Sequence, residues 1–219
     1  MEIIIIIPAL EKNQYSQKGD LVEWGSTSLL EWKLAQAKKV KYCKNIYVST
    51  NSKKINDLCK ENQIQVIKRK KKVKNLYQLH KSVALKFPNK FILWLNPTSP
   101  FISSNKINKF IEKFKKNYKK FDSAIMSLEQ KEYFFINNKA INFSLDNQST
   151  ERKNVSKIKQ IVNAAYLIRS DKILKYKNLF GKKIYFYNVD WLSSLEIKSS
   201  KDINLFKTLI DKYISIENK

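Results

Sequence analysis

The sequence predicts an α/β fold in which a mostly parallel β-sheet is flanked by helices on both faces. Strand-like and helix-like stretches alternate along the chain, and this order implies right-handed crossovers between parallel strands. Residues 2–7, Glu-Ile-Ile-Ile-Ile-Ile, form a β-branched run typical of strands buried on both faces, and Phe-Ile-Leu-Trp-Leu at 91–95 is a second buried run. We expect a single domain over residues 1–219.

The other elements follow from the same patterns. Further strands are predicted over residues 45–50, 64–67, 123–128, 161–168 and 183–189. Helices are predicted over residues 28–40, 52–61, 75–87 and about 107–114, and near Asp171 and after Asp202. The apolar face of the first helix carries Leu29, Leu30, Leu34 and Ala37. Residues 130–160 break into hairpin-like fragments, so we expect them to form a projecting arm.

The composition of the chain limits the cellular locations that we expect for the protein. At 43% apolar residues, the 219-residue chain can bury a substantial core. Its longest apolar run, residues 3–10, is far shorter than the roughly 20 residues of a membrane span, so we expect no membrane insertion. Cys43 and Cys59 lack metal-ligand spacing, and His80 is the sole histidine. Neither disulfides nor structural zinc are therefore expected, and a cytoplasmic location fits best.

The net charge of +24 raises the question of nucleic-acid binding, which clustered cations promote by releasing counterions. Only three of the 43 basic residues are arginine, the residue that makes bidentate phosphate and base contacts. We therefore expect mostly solvated surface charge and no specific nucleic-acid partner. The dense run at 68–72, Lys-Arg-Lys-Lys-Lys, is compatible both with one polyanionic ligand and with a solvated loop.

Two loops mark the expected binding site. Residues 8–28 form a long polar stretch after the first strand, and residues 96–100, Asn-Pro-Thr-Ser-Pro, follow the buried strand at 91–95. Both leave the carboxyl ends of predicted parallel strands, where open α/β sheets bind ligands. Long loops in compact domains are usually functional.

Several segments match one family in order along the chain. They are Ile-Pro-Ala at 7–9, Tyr-Val-Ser-Thr at 47–50, Leu-Asn-Pro-Thr-Ser-Pro at 95–100, Asp-Ser-Ala at 122–124, Ala-Ala-Tyr at 164–166 and Leu-Glu-Ile at 195–197 through Asp-Ile at 202–203. Together they resemble the acylneuraminate-type cytidylyltransferases, which include the CMP-sialic acid synthetases. The resemblance covers nearly the whole chain, and Pro-Thr-Ser-Pro after a buried strand is its most specific part.

The resemblance implies a three-layer fold like that of nucleotide-diphospho-sugar transferases, with an arm that forms a homodimer. It implies transfer of CMP from CTP to an acidic keto-sugar, such as sialic, pseudaminic or legionaminic acid, with release of pyrophosphate. The implied nucleotide-binding residues are Pro8, Ala9, Lys12, Gln14, Asp20, Arg69, Asn96, Thr98 and Ser99. The implied sugar-binding residues are Arg152, Lys153, Gln160 and Asn163, although Arg152 is equally compatible with a surface charge.

The first loop departs from the family pattern. Where relatives carry an arginine and two glycines that cradle phosphate, this chain has Leu10, Glu11 and Lys12. Lys12 and Lys18 are possible substitutes, with Lys18 the predicted catalytic cation of this loop. Both are also compatible with exposed loop charges.

The expected metal site also departs from the family pattern. Relatives hold Mg²⁺ with two aspartates one residue apart, whereas this chain has Glu196 and Lys198 at those positions. We predict Glu196 and Asp202 as the Mg²⁺ ligands, with an N-cap of the last helix as the alternative for Asp202. Lys198 is a second predicted catalytic residue, because its charge could replace that of the ion. These departures leave open a catalytically impaired paralogue that acts as a binding or partner subunit.

Overall fold

A seven-stranded sheet lies at the centre of the computed structural model, which describes residues 1–43, 45–69, 75–145 and 151–217. In chain order the strands are β1 (Ile3–Pro8), β2 (Asn45–Thr50), β3 (Gln65–Lys68), β4 (Phe91–Leu95), β5 (Ser123–Gln130), β6 (Ile158–Arg169) and β7 (Ile184–Asn188). Their order in the sheet is β7-β5-β6-β4-β1-β2-β3. All neighbours are parallel except β6, which runs antiparallel to both β4 and β5. The predicted mostly parallel sheet is confirmed.

Eight helices surround this sheet in the described part of the chain. They are α1 (Leu29–Lys38), α2 (Lys53–Glu61), α3 (Leu76–Lys86), α4 (Ser104–Lys115), α5 (Ser170–Tyr176), α6 (Trp191–Ser194), α7 (Ser200–Lys207) and α8 (Ile210–Glu217). The single helix predicted after Asp202 is thus two helices, α7 and α8. None of the helices in the described ranges combines the length and the apolarity that a membrane crossing requires.

Strand β1 contributes side chains to the apolar clusters on both faces of the sheet. Because side chains alternate along a strand, Ile3, Ile5 and Ile7 enter one apolar cluster, whereas Ile4 and Ile6 enter the cluster on the opposite face. All five are buried. Burial of each isoleucine side chain stabilises the fold by about 1.5–3 kcal/mol, which explains why a five-isoleucine run stands here. The prediction of a strand buried on both faces is confirmed.

The long segment 8–28 is more ordered than the sequence predicts. It contains a 3₁₀ turn at Gly19–Leu21 and a short hairpin that pairs Glu23–Trp24 with Thr27–Ser28. Gly25 makes the tight hairpin turn possible because its φ of 59° is a conformation that favours glycine. Strands of two residues each are too short to give a strand periodicity, so the prediction of one long loop was wrong at this hairpin.

Residues 130–160 form the expected hairpin, with residues 146–150 outside the described ranges. Phe135–Ile136 pairs with Lys139–Ala140, and Asn137 and Asn138 form the turn with φ of 47° and 62°. Positive φ at both positions is the signature of a type I′ turn, for which asparagine is well suited. Whether this segment is a dimerisation arm stays a prediction.

Candidate active site

A cleft of about 510 Å³ opens at the carboxyl ends of the parallel strands, where the sequence predicts the binding site. An adjoining compartment of about 370 Å³ shares part of the wall. Of the predicted nucleotide-binding residues, the cleft is lined by Pro8, Gln14, Asp20, Arg69, Asn96 and Thr98. The residues shared by the two compartments are Pro8, Leu76, Leu79, Asn96 and Asn163.

Asp20 holds the first loop in shape from inside. It is only 4% exposed, its Oδ2 accepts a hydrogen bond from the Leu10 amide at 2.7 Å, and its Oδ1 accepts one from the Tyr15 hydroxyl. Burial raises the pKa of Asp20, and both hydrogen bonds counteract that rise. Gly19 allows the close approach, because a Cβ at its position would lie 2.1 Å from the Leu10 carbonyl oxygen. One buried carboxylate and one glycine thus shape a loop that lacks glycines at residues 10–12.

Glu11 is directed away from the cleft lining. Its Oε2 accepts a hydrogen bond from Ser52 Oγ at 2.7 Å, and its Oε1 lies 3.3 Å from Lys54 Nζ. These partners lower the pKa of Glu11 and engage its charge at the start of α2. Lys12 and Lys18 are exposed and also lie outside the lining. The structure therefore does not bring the two predicted substitute cations to the cleft.

Arg69 brings a guanidinium group into the cleft wall. Its Nε donates a hydrogen bond to Ser49 Oγ at 3.1 Å, whereas its buried Nη2 has no hydrogen-bond partner among the residues that the structure describes. Burial lowers the pKa of Arg69 to about 10, so the side chain stays charged at neutral pH. A buried donor without a partner costs about 1–3 kcal/mol, and a ligand oxygen would remove that cost. Residues 70–72 of the predicted basic run lie outside the described residues.

A chain of polar side chains joins the two compartments. Asn96 Nδ2 donates to Asn163 Oδ1 at 2.7 Å, and Asn163 Nδ2 donates to Glu196 Oε1 at 2.6 Å. The pairing of β6 with β5 shifts register between Ile161 and Tyr166, and Asn163 lies in this irregular stretch. Such irregularities re-aim side chains, and here one brings Asn163 to the junction of the compartments.

Side chains of helix α1 hold the loop at residues 96–100 through hydrogen bonds to its carbonyl oxygens. Lys33 Nζ donates to the Ser99 carbonyl oxygen at 2.8 Å, and Trp32 Nε1 and Gln36 Nε2 both donate to the Pro100 carbonyl oxygen. Ser99 itself is buried behind the cleft surface. Ala9 is buried likewise, and its amide donates to the Ser49 carbonyl oxygen. Of the predicted nucleotide-binding residues, Ala9 and Ser99 therefore shape the wall without lining it.

Of the two predicted metal ligands, only Glu196 lines the cleft. Asp202 Oδ2 accepts hydrogen bonds from the amides of Lys198 and Ser199 at 2.9 and 2.7 Å. Ser199 is the N-cap of α7 and Asp202 closes the capping box, so the alternative of Asp202 as the N-cap itself was wrong by three residues. Asp202 therefore serves the start of a helix.

The donor set of the cleft does not fit a protein-held Mg²⁺. Within the described ranges, its carboxylates are Glu196 and Asp20, and both oxygens of Asp20 are already hydrogen-bonded. Lys198 Nζ lies 3.6 Å from Glu196 Oε2. Mg²⁺ is usually held by one or two carboxylates together with substrate phosphates, and the Glu196 oxygen that accepts no hydrogen bond among the described residues faces this ammonium group instead.

Three of the four predicted sugar-binding residues lie outside both compartments. Arg152 forms an ion pair with Glu132, and Lys153 forms one with Glu151. Gln160 accepts a hydrogen bond from Gln130 at 2.8 Å. Asn163 is the one that lines the cleft. A contribution of the other three to a partner's site stays a prediction.

The second compartment was missed by sequence reasoning. Its wall is largely aromatic and aliphatic and includes Trp94, Tyr166, Leu179 and Phe180. The His80 ring lies 4.8 Å from that of Trp94, and burial lowers the pKa of His80 to about 4, which leaves the imidazole neutral at pH 7. These side chains have the spacing of core residues, so the sequence offers no signal that separates a ligand wall from the core.

A family model described as cytidylyltransferase matches residues 19–217. The chain belongs to the cytidylyltransferase family. This confirms the resemblance found in the sequence and assigns the chain to a family of nucleotidyltransferases. No curated protein matches the sequence significantly.

Solved structures of other proteins share the fold. A CMP:2-keto-3-deoxy-manno-octonic acid synthetase complexed with CTP is 12% identical, with a TM-score of 0.74 and coverage of 97% of this chain and 99% of that one. The 4-diphosphocytidyl-2C-methyl-D-erythritol synthase from Anaerococcus prevotii DSM 20548 is 16% identical, with a TM-score of 0.67 and coverage of 95% and 98%. At these identities the likeness establishes the fold.

Proposed function

We propose that this cytidylyltransferase-family chain transfers CMP from CTP to a hydroxyl group of an acidic keto-sugar, of the sialic, pseudaminic or legionaminic acid kind, and releases pyrophosphate. A bond forms between the acceptor oxygen and the α-phosphorus, the bond from that phosphorus to the pyrophosphate oxygen breaks, and the hydroxyl proton passes to water. The observation that carries the proposal is the charged, buried Nη2 of Arg69, which has no hydrogen-bond partner among the described residues and lies in a cleft at the strand ends.

We assign the nucleotide to the larger compartment. Arg69 and Lys198 are its two cations among the described residues, and Asn13, Gln14 and Thr98 offer neutral polar groups. Leu76 is 72% exposed although it lines the cleft, and an exposed apolar side chain at such a place suits the face of a base. Positioning and charge neutralisation are the main contributions that a phosphoryl-transfer site makes.

We assign the acceptor to the smaller compartment. Its apolar wall suits the carbon face of a sugar, and Lys177 is its single cation among the described residues, apt for a carboxylate. Asn163 lies at the boundary and can orient groups on both sides, since it already bonds Asn96 and Glu196. Acceptor and α-phosphate would thus meet beside this residue.

Arg69→Met tests the nucleotide assignment, with Arg169→Met as a matched control because Arg169 pairs with Asp171 and does not line the cleft. We expect titration calorimetry to show CTP binding about tenfold weaker or more in the first variant and unchanged in the second. Pyrophosphate release with CTP and a panel of acidic keto-sugars tests turnover. If no sugar in the panel raises release above background, the transferase proposal fails.

A second candidate, a non-catalytic binding or partner subunit, is favoured by one observation. Lys12 and Lys18, the possible substitutes in the first loop, are exposed and lie outside the cleft lining. This candidate predicts that CTP raises the melting temperature while no acceptor is converted. A ligand at 100 times its dissociation constant adds about 2.7 kcal/mol of stability, so the thermal shift is measurable.

We further propose a cytoplasmic homodimer formed through residues 130–160. In this segment Phe135, Ile136 and Ile141 are exposed apolar side chains, which suits an interface between two copies. Ile136→Asp should then give a monomer in light scattering, whereas Leu205→Asp, at an equally exposed position on α7, should not. A monomeric wild-type chain would contradict this part.

A further inference from the structure

We propose that Lys198 supplies the positive charge that a metal-holding cleft would obtain from Mg²⁺, so that this chain binds CTP without needing the ion. The inference rests on the proposed function only in taking CTP as the ligand. It concerns how the cleft neutralises the triphosphate.

The carboxylate next to Lys198 is already engaged. Glu196 Oε1 accepts the 2.6 Å hydrogen bond from Asn163, and Glu196 Oε2 faces the Lys198 ammonium group at 3.6 Å. A divalent ion at Glu196 would have to displace or repel that ammonium group, which has no lone pair to offer a metal. The Asp202 carboxylate is held in the capping box of α7 through its Oδ2 and does not line the cleft.

The backbone that carries Lys198 is fixed. The Ile197 amide donates to the Thr98 carbonyl oxygen at 2.8 Å, and the Ile197 side chain is buried. The Lys198 amide is held by Asp202 at 2.9 Å. The segment is therefore docked against the loop of residues 96–100.

The side chain of Lys198, in contrast, is available to a ligand. It is 68% exposed and lines the cleft that holds Arg69. A lysine ammonium group is a compact point charge that binds phosphate oxygens well. A fixed backbone that carries a solvent-exposed ammonium group is the arrangement needed for a built-in counter-cation.

Titration calorimetry with CTP, in buffer with EDTA and in buffer with excess Mg²⁺, tests the inference on three proteins. For the wild-type chain we expect the two dissociation constants to agree within about threefold, or binding to be tighter in EDTA. For Lys198→Asp we expect CTP binding weakened by about tenfold or more in EDTA and largely restored by Mg²⁺, because two carboxylates then stand one residue apart. Lys201→Asp makes the same charge change on α7 outside the cleft lining and should behave as wild type.

The outcomes separate the two proposals. If wild-type CTP binding is lost in EDTA and recovered with Mg²⁺, the inference about Lys198 is wrong while CTP binding stands. An equal effect of Lys198→Asp and Lys201→Asp would also overturn it, since the charge would then act without a specific contact. Absence of CTP binding under both conditions contradicts the proposed function itself.

Discussion

The ammonium group of Lys33 donates a hydrogen bond to the carbonyl oxygen of Ser99 at 2.8 Å from a position with no solvent exposure. A fully buried lysine is rare, because taking its charge out of water is costly. Here it supports the loop that presents Asn96 and Thr98 to the cleft. Burial lowers the pKa of Lys33 to about 7, so the buried group approaches neutrality at physiological pH.

Lys33→Met should change how stability depends on pH. The pKa of Lys33 is lowered on folding, so between pH 7 and its ordinary value near 10.4 the unfolded chain binds a proton that the folded chain does not. The wild type therefore gains stability from this residue as pH rises through that window, by at most about 1.4 kcal/mol per pH unit. Urea unfolding at pH 7, 8 and 9 should show that the free energy of unfolding of the wild type rises relative to that of Lys33→Met as pH rises. A constant difference between the two proteins would contradict this.

Gly19→Ala should disrupt the first loop. The added Cβ would lie 2.1 Å from the Leu10 carbonyl oxygen, and the φ of 51° is unfavourable for alanine. We expect a loss of about 3 kcal/mol or more in the free energy of unfolding, from the close contact together with the backbone strain.

Gly25→Ala is the matched control for that change. Gly25 also has a positive φ, 59°, but the nearest atoms to its added Cβ belong to Ile210 at 3.9 Å or beyond. Only the conformational strain applies there, so we expect a loss of about 1 kcal/mol. Chemical denaturation measures both, and equal losses would show that the close packing of Gly19 against Leu10 carries no weight.

Asn163→Asp should create a repulsive pair in the cleft. The new carboxylate would face Glu196 Oε1, which now accepts a 2.6 Å hydrogen bond from Asn163. Two close carboxylates raise one pKa, so the variant binds an extra proton when folded and loses stability relative to wild type as pH rises from 4 to 7. Melting temperatures across this range test the expectation, and parallel curves for the two proteins would contradict it.

The hydrophobic pattern of the sequence predicted most of the strands, because a strand that is buried on both faces needs apolar side chains on both. The five isoleucines of β1 and the run Phe91–Leu95 have no other stable place than a strand covered on both faces. The reversed direction of β6 was not predicted. Apolar periodicity is the same whichever way a strand runs, and the excursion over residues 130–160 is long enough to return in either direction.

The candidate site was predicted in position and only partly in its residues. The loops after Pro8 and Leu95 located the cleft, since strand ends are readable from sequence. The support by Lys33 was missed because a lysine between Trp32 and Leu34 reads as a surface residue. The capping role of Asp202 was misassigned because a capping box and an isolated N-cap differ by only three residues in register.

The most direct test of the central claim follows the α-phosphate of the nucleotide. CTP, UTP, GTP and ATP, each labelled at the α-phosphorus, would be incubated in turn with the wild-type chain, Mg²⁺ and a panel of acidic keto-sugars, with Arg69→Met as the impaired comparison. The account predicts labelled sugar nucleotide from CTP only, in amounts reduced by Arg69→Met and unaffected by Arg169→Met. No labelled product from any of the four nucleotides, or product from one other than CTP, would contradict it.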